Sequence, residues 1–315
     1  MIKLIARRLA LGIVTLLVVS VLIFASTQIL PGDVATAILG QSATPETVAA
    51  IRRDLGLDRP APVRYAEWLG GFVRGDLGRS LANNQPIASQ IGQRLRNTIF
   101  LAGVAALIAV PLAVGLGVLA AIRRESWLDR TISIATLSTI SVPEFFVGYV
   151  LIILLAVQFQ VFPSLATISP GMGLLDALYV VALPALTLTL VVVAHMMRMT
   201  RAAVIDVLSA PYIEMARLKG LPERQIVLRH ALPNAIGPIA TVIALNLAYL
   251  VVGVVVVEVV FVYPGMGQYM VDAVTKRDVP AVQACTMIFA LTYVLLNLTA
   301  DLLGIVSNPR LRHPR

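Results

Sequence analysis

Long apolar stretches separated by short polar stretches dominate the chain. Six of them are long enough to cross a hydrocarbon core of about 30 Å, which takes about 20 helical residues. They cover residues 9–30, 98–122, 131–157, 177–197, 235–257 and 281–303. These runs lack the alternation of a membrane β-barrel, and only helices and closed barrels satisfy their backbone groups in lipid. The pattern predicts an all-α polytopic membrane protein with six transmembrane helices.

The composition excludes an ordinary soluble enzyme. Apolar residues make up 58% of the chain and charged residues only 13%, against about 25% charged in an average soluble domain. The mean hydropathy is +0.87. A single cysteine, Cys285, lies in an apolar run, so an intramolecular disulfide is excluded as well.

The positions of the basic residues predict the orientation of the chain. The formal charge is +8, and 22 of the 25 basic residues are arginines that lie between apolar runs, which favours membrane topology over a nucleic-acid surface. Basic residues cluster before residue 9, in 123–130, in 198–230 and in the tail, whereas 158–176 has none. Both termini are therefore expected in the cytoplasm. The first apolar run has 22 residues, longer than the roughly 7–15 of a signal peptide, and is expected to be retained.

The same pattern divides the chain into four parts. We expect an N-terminal segment with the first transmembrane helix in 1–30, an external loop subdomain in 31–97, a transmembrane domain in 98–309 and a cytoplasmic tail in 310–315. The external subdomain should contain two short helices. One begins near Thr44 and ends at Gly56, and the other carries Trp68 and ends before Gly75.

The sequence lacks the residues that several kinds of catalytic or binding site require. A P-loop needs Gly-Lys-Ser/Thr, and none of Lys3, Lys219 and Lys276 fits that motif. The three histidines form no H-E-x-x-H and have no cysteine pair beside them, so neither a metal nor another cofactor is expected. An intramembrane protease would depend on His195, the one histidine in an apolar run. The chain is predicted not to be an enzyme.

The loop between the fourth and fifth apolar runs, residues 209–234, is the most informative segment. Ser209 is expected to cap a helix that starts at Pro211 and ends at Gly220 in the left-handed conformation. A second short helix is predicted from Pro222 to Pro233. Ala216 and Gly220, four residues apart, suggest a small-residue face for close approach by a partner. The alternative is an amphipathic linker lying in the lipid head groups.

The residues of this loop resemble a known motif. Glu214-Met215-Ala216, Gly220 and, after nine residues, His230-x-Leu232-Pro233 have the spacing of the Glu-Ala-Ala loop of ABC importer permeases. Met215 departs from the usual Ala, and His230 from the Ile of many families. The form with His before Leu-Pro-Asn is similar to the dipeptide/oligopeptide/nickel branch. The resemblance implies ATPase coupling through Glu214, Met215, Ala216, Arg217, Gly220, His230 and Pro233.

Other segments resemble motifs of the same branch, and they follow one another along the chain in the same order as in that branch. They are Arg7-Arg8-Leu9, Leu30-Pro31-Gly32-Asp33, Leu55-Gly56-Leu57-Asp58, Arg74-Gly75-Asp76-Leu77-Gly78-Arg79-Ser80, Glu258 with Phe261 and Pro264-Gly265-x-Gly267, Asp301-Leu302-Leu303 and Asn308-Pro309-Arg310. The long first external loop is similar to that of the B-type subunit. The resemblance therefore covers nearly the whole chain.

The resemblance implies a division of labour in the bacterial inner membrane. Two cytoplasmic ATP-binding subunits hydrolyse ATP, the 211–233 loop docks on one of them, and an extracytoplasmic substrate-binding protein delivers a di- or oligopeptide. A second, different permease completes the pathway, and no nucleic acid is involved. Nickel chelates and glutathione are alternative substrates within the family. A secondary transporter is the alternative from another class, although it would not need the docking loop.

Four polar residues in the apolar runs are candidates for the substrate path, because polar groups at membrane depth are costly. They are Glu144, Glu258, Asn246 and Asp301. Glu144 lies roughly 20 Å along the third helix if that helix begins near Thr131. It follows Pro143, and a proline kink followed by a carboxylate suits a water-lined path that receives the amino end of a peptide. A paired or protonated buried carboxyl is the alternative there. Interface or cap roles are favoured for Glu258 and Asp301, and interhelical hydrogen bonds for Asn246.

A glycine-rich turn near the fifth apolar run is a candidate for the external mouth. It consists of Pro264, Gly265 and Gly267 around Met266. A plain tight turn is an equally good interpretation of these residues.

Overall fold

A computed structural model describes residues 2–29, 36, 44–54, 56, 58–169 and 171–307. The motifs at 30–33 and 308–310, residues 55 and 57, and the tail lie outside these ranges. Within them, backbone pairing of the β type is limited to an isolated bridge between Arg79 and Pro86. The all-α fold class is confirmed.

Thirteen helices follow one another within the described ranges. They are α1 (Ile2–Ile29), α2 (Pro45–Asp54), α3 (Ala61–Val73), α4 (Ile87–Ile122), α5 (Trp127–Ile140), α6 (Glu144–Leu151), α7 (Leu174–Val180), α8 (Ala182–Leu208), α9 (Pro211–Leu218), α10 (Glu223–Gln225), α11 (Leu232–Val260), α12 (Met266–Thr275) and α13 (Val279–Ser307). Two π-helical stretches interrupt this order: Ile152–Gln158 continues α6, and Ile226–Ala231 joins α10 to α11.

Five continuous helices and one bent pair have the length and hydropathy of membrane spans. The continuous spans are Ile5–Gln28, Ile87–Ile122, Ala182–Leu208, Glu223–Val251 and Val279–Leu302. The bent pair is Trp127–Ile140 with Glu144–Gln158, which meet at 100°. The predicted number of six spans is therefore confirmed when the bent pair is taken as one.

The third span is broken into two helices at 100°, which is a sharper change of direction than the kink expected at Pro143. Pro143 has no N–H to continue the hydrogen-bond ladder, and it disfavours helical geometry in the residue before it. The backbone at Pro143 is extended, with φ −60° and ψ 142°, and α6 begins directly after it. Glu144 is thus the first residue of a new helix, and the expectation that it lies deep within one helix is wrong.

Two further boundaries differ from the prediction. Helix α8 continues to Leu208, so Arg198 and Arg201 are helical and do not belong to a loop. The second short helix expected to end at Pro233 does not end there, since its π-helical turn runs straight into α11. Proline is tolerated in the first turn of a helix because the N–H it lacks has no acceptor there.

The described chain forms two compact units. The first comprises Met1–Leu9, Ile99–Tyr263 and Thr292–Arg315. Within it, a row of buried alanines on α4 (Ala102, Ala105, Ala109 and Ala113) faces the core. A Cβ atom added to Gly117 would come within 2.9 Å of the backbone oxygen of Met197, so α4 and α8 touch at backbone level. Such small residues allow the close van der Waals packing that holds membrane helices together.

An ion pair between the buried Asp129 and the partly exposed Arg201 joins α5 to α8 in the first unit. Arg201 donates from Nε and Nη2 to the two carboxylate oxygens of Asp129, each at 2.7 Å. The Asp129 carboxylate also accepts the backbone N–H of Glu125, and Ser126 caps α5. The pair fixes the start of the bent span to the helix that leads into the 209–234 loop.

The second unit comprises Ala10–Thr98 and Pro264–Leu291. Both short helices expected before residue 97 are present, as α2 and α3. Helix α3 packs on α1 through an aromatic group of Phe24, Tyr65 and Trp68, whose ring centroids lie 5.5–6.1 Å apart. Tyr65 also shares a hydrogen bond of 2.7 Å with Ser20.

Candidate functional site

The candidate docking element is α9, and its first turn differs from the prediction. Ala210 is the N-cap residue, with extended backbone, and Pro211 occupies the first turn. Ser209, expected to cap this helix, instead donates to the carbonyl of Ile205 at 2.9 Å and closes α8. The helix therefore starts because Pro211 has a helical φ, without a side-chain cap.

The C-terminus of α9 is a Schellman motif. Gly220 has φ +74°, as predicted, and its N–H donates to the carbonyl of Arg217 at 2.9 Å. The N–H of Leu221 donates to the carbonyl of Ala216 at 3.3 Å. These are the two hydrogen bonds that define the motif, which requires the left-handed conformation at Gly220.

The inner face of α9 packs on its own chain. Ile213 and Ala216 form a buried cluster with Ile226 and Ala231 of the π-helical turn. Leu221 packs against the same cluster. The expected small-residue face is therefore wrong in one respect: Ala216 is internal and presents no surface, whereas Gly220 is exposed.

The outer face of α9 is apolar and exposed. Tyr212, Met215 and Leu218, here called the exposed stripe, are 45%, 54% and 75% accessible. Residues three apart are neighbours on a helix surface, so the stripe runs obliquely from Tyr212, beside the buried Ala216, to Leu218 on the far side of α9, where the exposed Glu214 also lies. Sequence reasoning selected Met215 but missed Tyr212 and Leu218, although their spacing of three carried the signal.

Polar contacts hold the turn after α9. Arg217 makes a bidentate ion pair with Glu223, with Nη2 to Oε1 at 2.8 Å. The Glu223 carboxylate raises the pKa of the Arg217 guanidinium, and the exposed Glu214 adds to this effect. The carbonyl of His230 accepts from Asn234 at 2.7 Å, and Pro233 lies in the first turn of α11. The predicted coupling residues thus share one loop, on its inner and outer faces.

A polar group forms around the break in the third span. Glu144 Oε1 accepts a hydrogen bond of 2.7 Å from the hydroxyl of Tyr249 on α11. The ring of Tyr249 lies 6.3 Å from that of His195 on α8. The position of Glu144 in the first turn of α6 is favourable for its charge, because the N-terminus of a helix carries partial positive charge.

The other three candidates for the substrate path have different surroundings. Asn246 is buried between two helices, where its Nδ2 donates to the carbonyl of Val242 on α11 and lies near the sulfur of Met199 on α8. Glu258 is fully buried near the end of α11, and its expected interface or cap role stays a prediction. Asp301 pairs with Arg8 and lies inside α13, which continues to Ser307.

The glycine-rich turn at 264–267 starts a helix. Gly265 is the N-cap of α12 with extended backbone, and Met266 and Gly267 are buried. The carbonyl of Pro264 accepts from Asn97 at 2.9 Å, and the N–H of Met266 donates to Thr98 at 2.8 Å. These residues form a tight turn that is hydrogen-bonded to α4 at the point where the apolar part of that helix begins.

A buried carboxylate holds a loop in the second unit. Asp278 accepts hydrogen bonds from the hydroxyl of Ser80 and from the N–H of Leu81, and it also accepts the N–H of Ala281 in the first turn of α13. Asp278 thereby anchors the segment that follows Gly78. Sequence reasoning noticed the Ser80 motif but did not select Asp278.

The chain is similar to proteins of known families along its whole length. Residues 113–313 match the family described as binding-protein-dependent transport system inner membrane component. Residues 1–102 match the N-terminal family of the same membrane components.

Named relatives share more than a third of the sequence. A putative peptide transport system permease protein of Brucella abortus (strain 2308) is 37% identical over 313 residues, covering 99% of this chain and 100% of the relative. The glutathione transport system permease protein of Escherichia coli (strain K12) has the same identity and coverage. A probable peptide ABC transporter permease protein of Sinorhizobium fredii is 38% identical over 311 residues, 98% of this chain and 99% of the relative.

The fold also matches a solved structure. The methionine ABC transporter MetNI in inward-facing conformations has a chain that aligns with a TM-score of 0.56 at 18% identity. The alignment covers 71% of this chain and 99% of that one. The similarity extends the agreement from sequence to the arrangement of the membrane helices.

Proposed function

The chain belongs to the family of inner-membrane components of binding-protein-dependent transport systems, and from this membership we propose that it is a permease subunit of an ATP-driven importer of small peptides. It is a multi-pass protein of the inner membrane. The observation that carries the peptide substrate is the near-complete match to permeases named for peptide and glutathione transport.

A permease of this family works with a substrate-binding protein and with ATPase subunits. We infer the finer arrangement of a second, different permease that supplies the other half of the pathway and two ATPase subunits in the cytoplasm. The chain itself then performs no catalysis. This inference agrees with its three lysines, none of which stands in a Gly-Lys-Ser/Thr motif.

The exposed stripe supports the assignment of α9 as the helix that docks on an ATPase subunit. Apolar side chains at a cytoplasmic surface gain by burial against a partner, roughly 25 cal/mol for each Å² removed from water. The Schellman motif and the buried Ile213 hold α9 in one orientation. Movement of an ATPase subunit against the stripe is then passed to α8 and α11, which enter and leave the loop.

Docking is tested by Leu218→Ser, which removes the most exposed apolar side chain of the stripe. We expect pull-down of the ATPase subunits from detergent-solubilised membranes to fall, with normal insertion of the permease. Leu228→Ser is the matched control, because Leu228 is 52% accessible but lies in the π-helical turn. Equal pull-down of both variants would refute the docking role of the stripe.

The orientation is tested by labelling single cysteines with an impermeant reagent in a Cys285→Ser background. The arginine distribution places residues 78 and 168 outside and residues 126 and 220 inside. Labelling of position 126 in intact cells would overturn this orientation.

The substrate is tested in proteoliposomes that contain the complete importer and its loaded binding protein. We expect ATP-dependent uptake of the dipeptide alanyl-alanine. Glutathione is the second candidate, because the relative from E. coli is named for it. Uptake of a nickel chelate is measured as well, because transport of this third substrate would assign the chain to the nickel-importing members of the family. Uptake without ATP would indicate a secondary transporter and contradict the proposal.

A further inference from the structure

Three polar side chains from three different elements lie together on the accessible surface of the first unit, inside the membrane-spanning segments. They are Glu144 at the start of α6, His195 on α8 and Tyr249 on α11. His195 is exposed, Tyr249 is 45% accessible and Glu144 is partly accessible. The sequence pattern assigns no role to Tyr249, and it does not group the three residues together.

Lipid is an unfavourable neighbour for such a group. Ionisable residues in membrane segments face the interior of a bundle or a water-filled cavity, because their exposure to hydrocarbon costs several kcal/mol. The surface that bears Glu144 and His195 therefore faces the translocation path, where the second permease closes the other side.

The bend of the third span is what brings these residues together. In a continuous helix Glu144 would lie in the middle of the span. The 100° break instead ends α5 before Pro143 and makes Glu144 the first residue of α6. The start of α6 is thereby held against α11, where the Tyr249 hydroxyl reaches the carboxylate at 2.7 Å.

We propose that Glu144, Tyr249 and His195 form a binding site for the α-ammonium group of the transported substrate. The proposal rests on the proposed function, and it names the part of the substrate that the path recognises. Alanyl-alanine and glutathione both carry this group, so the site serves either substrate.

Each side chain supplies a different interaction with an alkylammonium ion. The Glu144 carboxylate is a charged acceptor, and the hydrogen bond from Tyr249 fixes its orientation before the substrate arrives. The face of the Tyr249 ring attracts a cation through its quadrupole. An imidazole ring nitrogen can accept a hydrogen bond, and His195 brings its ring next to that of Tyr249.

The test uses the complete importer in proteoliposomes and measures uptake and ATP hydrolysis side by side. For Glu144→Gln we expect uptake of alanyl-alanine and of glutathione to fall roughly ten- to hundred-fold, the size of a lost charge-assisted hydrogen bond. Hydrolysis stimulated by the loaded binding protein should stay within about two-fold, since the substituted residue lies on α6, outside the 209–234 loop and the two helices that lead into and out of it. Uptake per ATP hydrolysed is therefore the deciding quantity.

Tyr249→Phe keeps the ring and removes only the hydroxyl, so it tests the site even if Glu144→Gln fails to assemble. We expect a fall in uptake of roughly three- to ten-fold. Tyr149→Phe is the matched control, because Tyr149 is an equally accessible tyrosine of α6, and its uptake should equal that of the wild type.

The possible results separate the two proposals. Unchanged uptake in Glu144→Gln and Tyr249→Phe overturns the site and leaves the proposed function standing. A parallel fall of uptake and hydrolysis also overturns it, since the residues would then only hold the fold. Absence of uptake of both substrates by the wild type refutes the proposed function, and the site falls with it.

Discussion

Two loops of this protein are held in place by different means. The turn after α9 is fixed mainly by the backbone, through the left-handed Gly220 and two main-chain hydrogen bonds. The segment after Gly78 has main-chain hydrogen bonds of its own, but one buried side chain anchors it to the start of α13: the carboxylate of Asp278, which is 2% accessible and accepts from Ser80 and Leu81.

The difference determines which residues can vary. A turn held by its backbone leaves the outer side chains of α9 available for a partner, and it limits Gly220 to residues that tolerate the left-handed conformation. The attachment of the other segment to α13 depends on one carboxylate, because an unsatisfied buried donor costs about 1–3 kcal/mol. The fold of the 209–234 loop is thus tolerant of substitutions at its surface, whereas the anchored segment is sensitive at its centre.

The largest effect should come from the Arg201–Asp129 ion pair of the unit that contains the 209–234 loop. Arg201→Met leaves the Asp129 carboxylate buried without its cation, which we expect to destabilise this unit by about 3–5 kcal/mol. The melting temperature of the purified complex should fall. Arg198→Met, an exposed position on the same helix, should melt like the wild type. Equal melting of the two variants would show that the pair is dispensable.

The second effect concerns the anchored segment. Asp278→Ala removes three acceptor interactions, one of which caps α13, and we expect a local loss of about 2–4 kcal/mol. Amide hydrogen exchange in residues 78–87 should accelerate strongly. Asp58→Ala, at an exposed position of the same unit, is the control. Unchanged exchange would mean that other contacts hold this segment.

The third effect tests the claim that the docking turn depends on its backbone. Gly220→Val should cost about 1–2 kcal/mol from the left-handed conformation alone, since no atom lies within 4 Å of an added Cβ. ATPase pull-down should fall. Gly220→Asn adds a side chain that tolerates this conformation and should bind normally. Loss of binding in both variants would assign the effect to bulk at the interface.

The smallest effect should come from the ion pair across the same turn. Arg217 and Glu223 are 48% and 58% accessible, so solvent screens their attraction. For Arg217→Gln we expect a loss of about 0.2–1 kcal/mol and nearly normal ATPase stimulation. A loss as large as that of Gly220→Val would show that side chains, too, fix this turn.

The sequence predicted what depends on local chemistry. The hydropathy pattern predicted the six spans. Gly56 and Gly75 predicted the ends of α2 and α3, and Gly220 predicted the left-handed end of α9. The motifs of the 209–234 loop gave the family, which the full-length matches confirm. Each of these signals lies within a few residues of the feature that it predicts.

The features that the sequence did not predict depend on contacts between distant residues. Pro143 indicated a kink, but its 100° size follows from how α6 packs on α8 and α11. The partners of Glu144 and Asp278 lie 105 and 198 residues away, so no spacing reveals them. Burial of Glu258 and Ala216 likewise depends on the packing of other helices around them.

The π-helical turn Ile226–Ala231 sets the phase between the docking loop and the fifth span. A π-helical ring closes over one residue more than an α-helical ring. Six π-helical residues turn through nearly the same angle as five α-helical ones, so deletion of Leu228 would restore the ordinary period and leave the exposed stripe facing the same way. Deletion of Ile236, in the α-helical part of α11, would instead turn everything before it by about 100° although every residue of the stripe is intact. We therefore expect the loaded binding protein to stimulate ATP hydrolysis in the first deletion variant and not in the second.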